Sequence, residues 1–118
     1  MNLAILRNEK DIRTFDAGAT IFDRGDAADV MYGVVEGEVD IEIAGRVAET
    51  AGPGALFGEM ALIDGSPRSA RAVARTPCRL ARIDERRLLF LVQQTPNFAL
   101  NLMRILAERL RRESGSRS

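Results

Sequence analysis

Residues 11–84 read as a series of short apolar segments cut by glycine-bearing turns, and no other feature of the chain restricts its fold as much. Ile12-Arg13-Thr14-Phe15 precedes Asp16-Ala17-Gly18, and Thr20-Ile21-Phe22 precedes Asp23-Arg24-Gly25-Asp26. Residues 30–35 make a mostly apolar strand, and after Glu36-Gly37-Glu38 the segment Val39-Asp40-Ile41-Glu42-Ile43 alternates strictly, as a strand with one wet face must. Ala44-Gly45 turns the chain back into residues 46–50. Gly52-Pro53-Gly54 breaks it again, and further strands are expected at 71–74 and 79–83. Many short strands at this spacing predict a sandwich or jelly roll.

Beyond residue 84 the pattern changes. Asp84-Glu85 is an acidic helix start ahead of Arg86-Arg87-Leu88-Leu89-Phe90-Leu91-Val92, and Thr95-Pro96 opens a second helix with a cap followed by proline. Residues 114–118 read as a frayed tail. With 118 residues and no repeat or linker, one domain over 1–118 is expected, its strands about 11–84 and its C-terminal helices about 85–112.

Composition narrows the chemistry. The chain has no histidine, which removes the commonest general base and the commonest metal ligand, so no enzyme, no metal and no cofactor are expected. A cupin-type metal enzyme would need a histidine cluster. Glu36, Glu38, Asp40 and Glu42 recur at period two and read as the wet face of a strand rather than as acid–base catalysts. Cys78 is the only cysteine and reads as a small packing residue in a reducing compartment. The opening Met1-Asn2-Leu3-Ala4-Ile5-Leu6 lacks the basic region and long apolar stretch of a signal peptide, and no transmembrane run occurs, so a cytoplasmic protein off the membrane is expected. Acidic residues dominate 1–63 and basic ones 64–118. The arginines lie among apolar residues without interleaved aromatics and read as solvated surface, so nucleic acid is not an expected partner.

One passage resists a purely structural account: "FGEMALIDGSPRSA", residues 57–70. It is rich in glycine, alanine and large apolar groups, yet it carries Glu59 and Arg68, and an unpaired buried charge costs several kcal/mol. Small residues let a ligand approach the backbone, and the turn Gly58-Glu59-Met60-Ala61-Leu62 would present amides to an anion. Arg68, after Gly65-Ser66-Pro67, offers a fork of donors suited to a phosphate, and Glu59 can accept from a sugar hydroxyl. The alternative is that Glu59 and Arg68 pair with each other across a turn. Spacing alone leaves both readings open.

The passage resembles the phosphate-binding cassette of the cyclic nucleotide-binding domain family, whose pattern runs F-G-E-[LM]-A-L, a short bridge, then P-R-[ASTC]-A. Phe57, Gly58, Glu59, Met60, Ala61, Leu62, Pro67, Arg68, Ser69 and Ala70 match in order. The turn Gly25-Asp26 and the segment from Met31 to Val39 are similar to the strand pair before that cassette, so the resemblance covers roughly residues 11–112. It implies a jelly-roll β-barrel, also called a double-stranded β-helix, with flanking helices. It also implies a cyclic phosphate held by Arg68 and cassette amides, a ribose hydroxyl held by Glu59, and a C-terminal helix that moves as a lid. Ligand-binding residues are thus expected at Phe57, Gly58, Glu59, Met60, Ala61, Arg68, Ser69, Ala70 and Arg109.

The ligand implied is a 3′,5′-cyclic nucleotide, cyclic AMP first and cyclic GMP as the second candidate. Ser69 can bond either the phosphate or the 2-amino group of a syn guanine. Transcription regulators of the catabolite-activator type add a helix-turn-helix domain, and channels and kinases add a pore or catalytic unit. The chain to Ser118 leaves no room for these, so a stand-alone sensor signalling to an effector protein is expected. A jelly-roll interaction domain that has lost its ligand is the alternative.

Two departures from the family pattern bear on the site. Only about ten residues precede the first strand, where the family has one or two helices. Arg71 stands where a hydroxyl residue is commoner, and strand alternation points it to solvent. In the last helix Asn97, Asn101, Arg104, Glu108, Arg111 and Arg112 form a narrow polar strip, and the apolar residues cover most of the circumference. So much apolar surface implies burial on more than one side, against strands and against a ligand or a partner, including a second copy of the chain. Arg109 falls on the apolar arc, either stacked over a purine or snorkelling to solvent.

Overall fold

The computed structural model describes residues 3–113, so the tail 114–118 lies outside the described residues. Eight strands form between the glycine turns: β1 (Ile12–Phe15), β2 (Thr20–Phe22), β3 (Val30–Glu36), β4 (Val39–Ile43), β5 (Arg46–Ala51), β6 (Leu56–Phe57), β7 (Arg71–Ala74) and β8 (Cys78–Asp84). Four helices accompany them: α1 (Leu3–Arg7), α2 (Glu59–Asp64), α3 (Glu85–Gln94) and α4 (Pro96–Glu113). The strands make two antiparallel sheets ordered β1-β8-β3-β6 and β2-β7-β4-β5.

The apolar pattern explains why the sheets stack. Tyr32, Val34, Phe57 and Leu80 of the first sheet meet Val39, Ile41, Ala72 and Ala74 of the second in a core between them. The first sheet is buried on its other face as well. There Leu6, Met31, Val35 and Ile83 pack under Leu88, Leu91, Phe98 and Leu102 of the C-terminal helices. This double burial is why residues 30–35 are continuously apolar while β4 alternates.

The mainly β jelly-roll architecture with C-terminal helices is as expected, with one correction. The two sheets face each other without closing into a barrel: no ladder joins β1 to β2 or β6 to β5. The reason lies in the edges, where β6 has two residues and β2 three, too few to carry a ladder around a corner. The chain crosses from β5 to β6 through Gly52-Pro53-Gly54-Ala55, and the sandwich stays open on that side.

Ala44 (φ 53°) and Gly45 (φ 77°) both take the left-handed conformation that a tight two-residue hairpin requires. Asp84 caps α3 by accepting from the Arg87 amide at 2.8 Å. Cys78 is buried, and its thiol donates to the Glu38 and Thr76 carbonyls. Arg71 points outward, donating to the Thr20 hydroxyl at 2.9 Å beside Asp23 and Glu42. The helix before the first strand is present as α1, whose Leu6 is fully buried against Gly33. In α4, Phe98 and Leu102 are buried, whereas Leu100, Met103 and Leu110 are exposed, so within one chain the helix packs on one side only.

Candidate ligand-binding site

Residues 57–70 enter from the open side of the sandwich. Phe57 ends β6 inside the core, Gly58 turns the chain with φ 76°, and α2 runs from Glu59 until Gly65 (φ 73°) stops it. Only glycine suits position 58. A Cβ there would lie 2.5 Å from Arg68 Nη1, on top of the strained φ. The chain then returns to β7, and the Arg68 backbone pairs both ways with the turn Gly25-Asp26: its amide donates to the Asp26 carbonyl at 2.9 Å, and the Gly25 amide donates to its carbonyl at 2.8 Å.

The Arg68 side chain is buried and aligned by backbone. Its Nη1 donates to the Gly58 carbonyl at 2.8 Å and its Nη2 to the Val30 carbonyl at 2.7 Å. The guanidinium lies 4.0 Å above the Phe22 ring, which in turn packs against Tyr32 and Phe57. Burial lowers its pKa, and an arginine starts so high that the charge stays.

Glu59 does not pair with Arg68. Among the described residues its ion partner is Arg109 of α4, whose Nη1 lies 2.7 Å from Oε1. Arg109 also reaches Glu49 of β5, with Nη2 3.2 Å from Oε1, and Arg112 stands 3.8 Å from the same oxygen. Glu59 is fully buried, and burial raises its pKa against the opposing pull of Arg109. The contact with Arg109 is out of line for hydrogen bonding, so both Glu59 oxygens lack a hydrogen-bond donor, and Arg68 Nε and Arg109 Nε lack an acceptor. Four buried polar atoms without a hydrogen bond in one place are unusual for a folded protein.

Beside them lies a cavity of about 310 Å³. Phe57, Gly58, Met60, Ala61, Arg68, Ser69, Ala70 and Arg109 line it, and Glu59 sits behind Arg109. Phe22, Ile41, Ile43, Ala48, Glu49 and Arg112 also line it and escape sequence reasoning. Glu49 shows why. Counting back from the turn pair Ile43–Arg46 in regular register sets Glu49 opposite Asp40, facing solvent. A bulge between Ile41 and Glu42 shifts the ladder by one, so Glu49 stands opposite Ile41 and shares its inward face. Arg109 does not snorkel to solvent: its guanidinium rests on Glu49 and Glu59.

An aligned arginine and a buried glutamate beside a mostly apolar cavity are the makings of a small-ligand pocket on a two-sheet sandwich. Residues 12–95 match the model of the cyclic nucleotide-binding domain, and the chain belongs to that family. It is 38% identical over 104 residues to the cyclic AMP receptor protein of Thermus thermophilus, covering 84% of this chain and 48% of that protein. It is 42% identical over 87 residues to a cyclic nucleotide-gated potassium channel of Mesorhizobium japonicum, covering 74% of this chain and 24% of the channel. The crystal structure of the Thermus thermophilus catabolite activator protein superposes with a TM-score of 0.79 at 35% identity, over 95% of this chain and 53% of that one. The chain thus spans about half or less of these relatives' length. Among the described residues no helix is long and apolar enough to cross a membrane.

Proposed function

We propose that the chain binds one 3′,5′-cyclic nucleotide in this cavity, cyclic AMP in preference to cyclic GMP, and passes the change to a partner through α4. The observation that carries the reading is that buried, oppositely charged Arg68 and Glu59 keep polar atoms without a hydrogen bond beside a mostly apolar cavity. A cyclic phosphate would accept from Arg68, whose unpartnered Nε is the free donor, and a ribose hydroxyl would donate to Glu59. Ile41, Ile43 and Ala48 offer the base an apolar wall, and Ser69 offers a hydroxyl. A cavity of about 310 Å³ lies within the range of roughly 300–1,000 Å³ usual for small-ligand sites.

For the hydroxyl to reach Glu59, Arg109 must give way, which couples occupancy of the cavity to the position of α4. The exposed residues Leu100, Met103 and Leu110 on the outer side of that helix would let an effector, or a second copy of the chain, sense the change. Preference for cyclic AMP rests on likeness to a cyclic AMP receptor, since the Ser69 hydroxyl could serve either nucleotide. Calorimetric titration with both nucleotides tests the proposal. One-to-one binding that is tighter for cyclic AMP is expected, a clear preference for cyclic GMP would reverse the base assignment, and no heat with either would leave a jelly-roll interaction domain.

A further inference from the structure

Arg109 is shared between two carboxylates that differ in kind. Glu59 is fully buried and faces the cavity's interior through Arg109, whereas Glu49 is partly exposed, on β5, and holds Arg109 and Arg112 together. Arg109 and Arg112 are three residues apart on α4, where like charges repel, and Glu49 Oε1 offsets that repulsion. Two seats for one arginine matter only if one of them can be taken by something else. We propose that Glu49 is a positioning residue for the nucleotide-bound state: when a sugar hydroxyl takes Glu59, Arg109 keeps Glu49, and α4 stays against the cavity instead of swinging free. This rests on the reading of the cavity as a cyclic nucleotide site.

A contact shifts an equilibrium only as far as it is worth more in one state than in the other. Before binding, Arg109 has two anionic partners, so losing Glu49 leaves it on Glu59. After binding, Glu49 is its remaining carboxylate, so losing Glu49 leaves it with none. Glu49→Gln therefore penalises the bound state more than the free one, and strengthens Glu59's competing hold on Arg109.

The test is release of a fluorescent cyclic AMP analogue, chased with unlabelled cyclic AMP. Glu49→Gln is expected to speed release about twofold to fivefold, as loss of one partly exposed ion pair would, while the free protein melts within a degree or two of wild type. The effect should vanish in an Arg109→Ala background and persist in an Arg112→Ala background, a dependence that loosened packing of β5 would not produce. Should Glu49→Gln fail to fold, Glu49→Asp carries the same comparison with a smaller effect. Unchanged release in a wild type that binds, or an equal effect with and without Arg109, overturns the handover alone. No binding by the wild-type chain overturns the cavity's reading and the handover with it.

Discussion

Arg68 and Arg109 line the same cavity and are held by opposite means. Arg68 donates to two main-chain carbonyls, lies on the Phe22 ring, and has its own backbone laddered to the Gly25-Asp26 turn. Arg109 is held by the side-chain charges of Glu59 and Glu49, and it sits near the end of a helix packed on one side. A main-chain carbonyl cannot leave without unfolding the sheet, whereas a carboxylate can exchange one partner for another at little cost. One wall of the cavity is therefore fixed and the other exchangeable, so in the proposed complex the first would be preorganised for the ligand and the second would respond to it.

The fixed wall should be the more damaging one to break. In the proposed complex Arg68→Ala is expected to lose about 2–5 kcal/mol of nucleotide affinity, the range for truncating a buried charge-assisted contact. Arg68→Lys should lose much of the same, because an ammonium cannot serve both carbonyls and a phosphate. Titration calorimetry checks both, and an alanine variant that binds as tightly as wild type would remove Arg68 from the site.

Glu59→Gln sharpens the contrast by acting on the exchangeable wall. Affinity should fall by about 1.5–3 kcal/mol, the range for a hydrogen bond to a charged group. Stability of the free protein should move the other way. The folded chain keeps the Glu59 proton to a higher pH than the unfolded chain, so ionisation removes stability as pH climbs from the ordinary value of 4.5 through the raised one, and the loss remains above it. Glu59→Gln abolishes that loss. The free variant should melt at or above wild type at neutral pH, the gap closing below the ordinary carboxylate value, and thermal melts across this window read the result.

Gly58→Ala alters the fixed wall without changing a charge. Its Cβ would press on Arg68 Nη1 at a positive φ, so about 1–3 kcal/mol of stability should be lost, with affinity falling because Arg68 moves. The smallest effect is expected at Ser69, exposed at the cavity's rim. Ser69→Ala should cost about 0.5–1.5 kcal/mol, one ordinary hydrogen bond, and weaken cyclic GMP at least as much as cyclic AMP in competition titrations.

The two walls also differ in how far the sequence reveals them. Everything on the Arg68 side is local or punctuated: glycines bound the strands, the first turn of α2 is visible in Gly58-Glu59-Met60-Ala61-Leu62, and the cassette pattern marks Glu59 and Arg68. Arg68's acceptors are less legible, because the Val30 carbonyl is 38 residues away and any residue carries a carbonyl. The Arg109 side depends on register and long-range packing. A single bulge turns Glu49 inward, and helical periodicity gives Arg109 a face without saying what that face meets. The same limit hides the clamp of Arg87 on buried Glu9, two bonds of 2.7 Å between residues 78 apart that tie α3 to the segment after α1. Neither partner stands out in its own neighbourhood.

Hydrogen exchange with and without cyclic AMP tests most directly whether one wall is fixed and the other responsive. Saturating nucleotide should leave amide protection in β3 and β8 nearly unchanged, since both are central strands of the first sheet and paired on both edges, and should raise it through residues 98–112 of α4. Equal protection of α4 in both states, in a protein that calorimetry shows to bind, would contradict the responsive wall and leave the exposed apolar side of that helix to be explained by association with another chain.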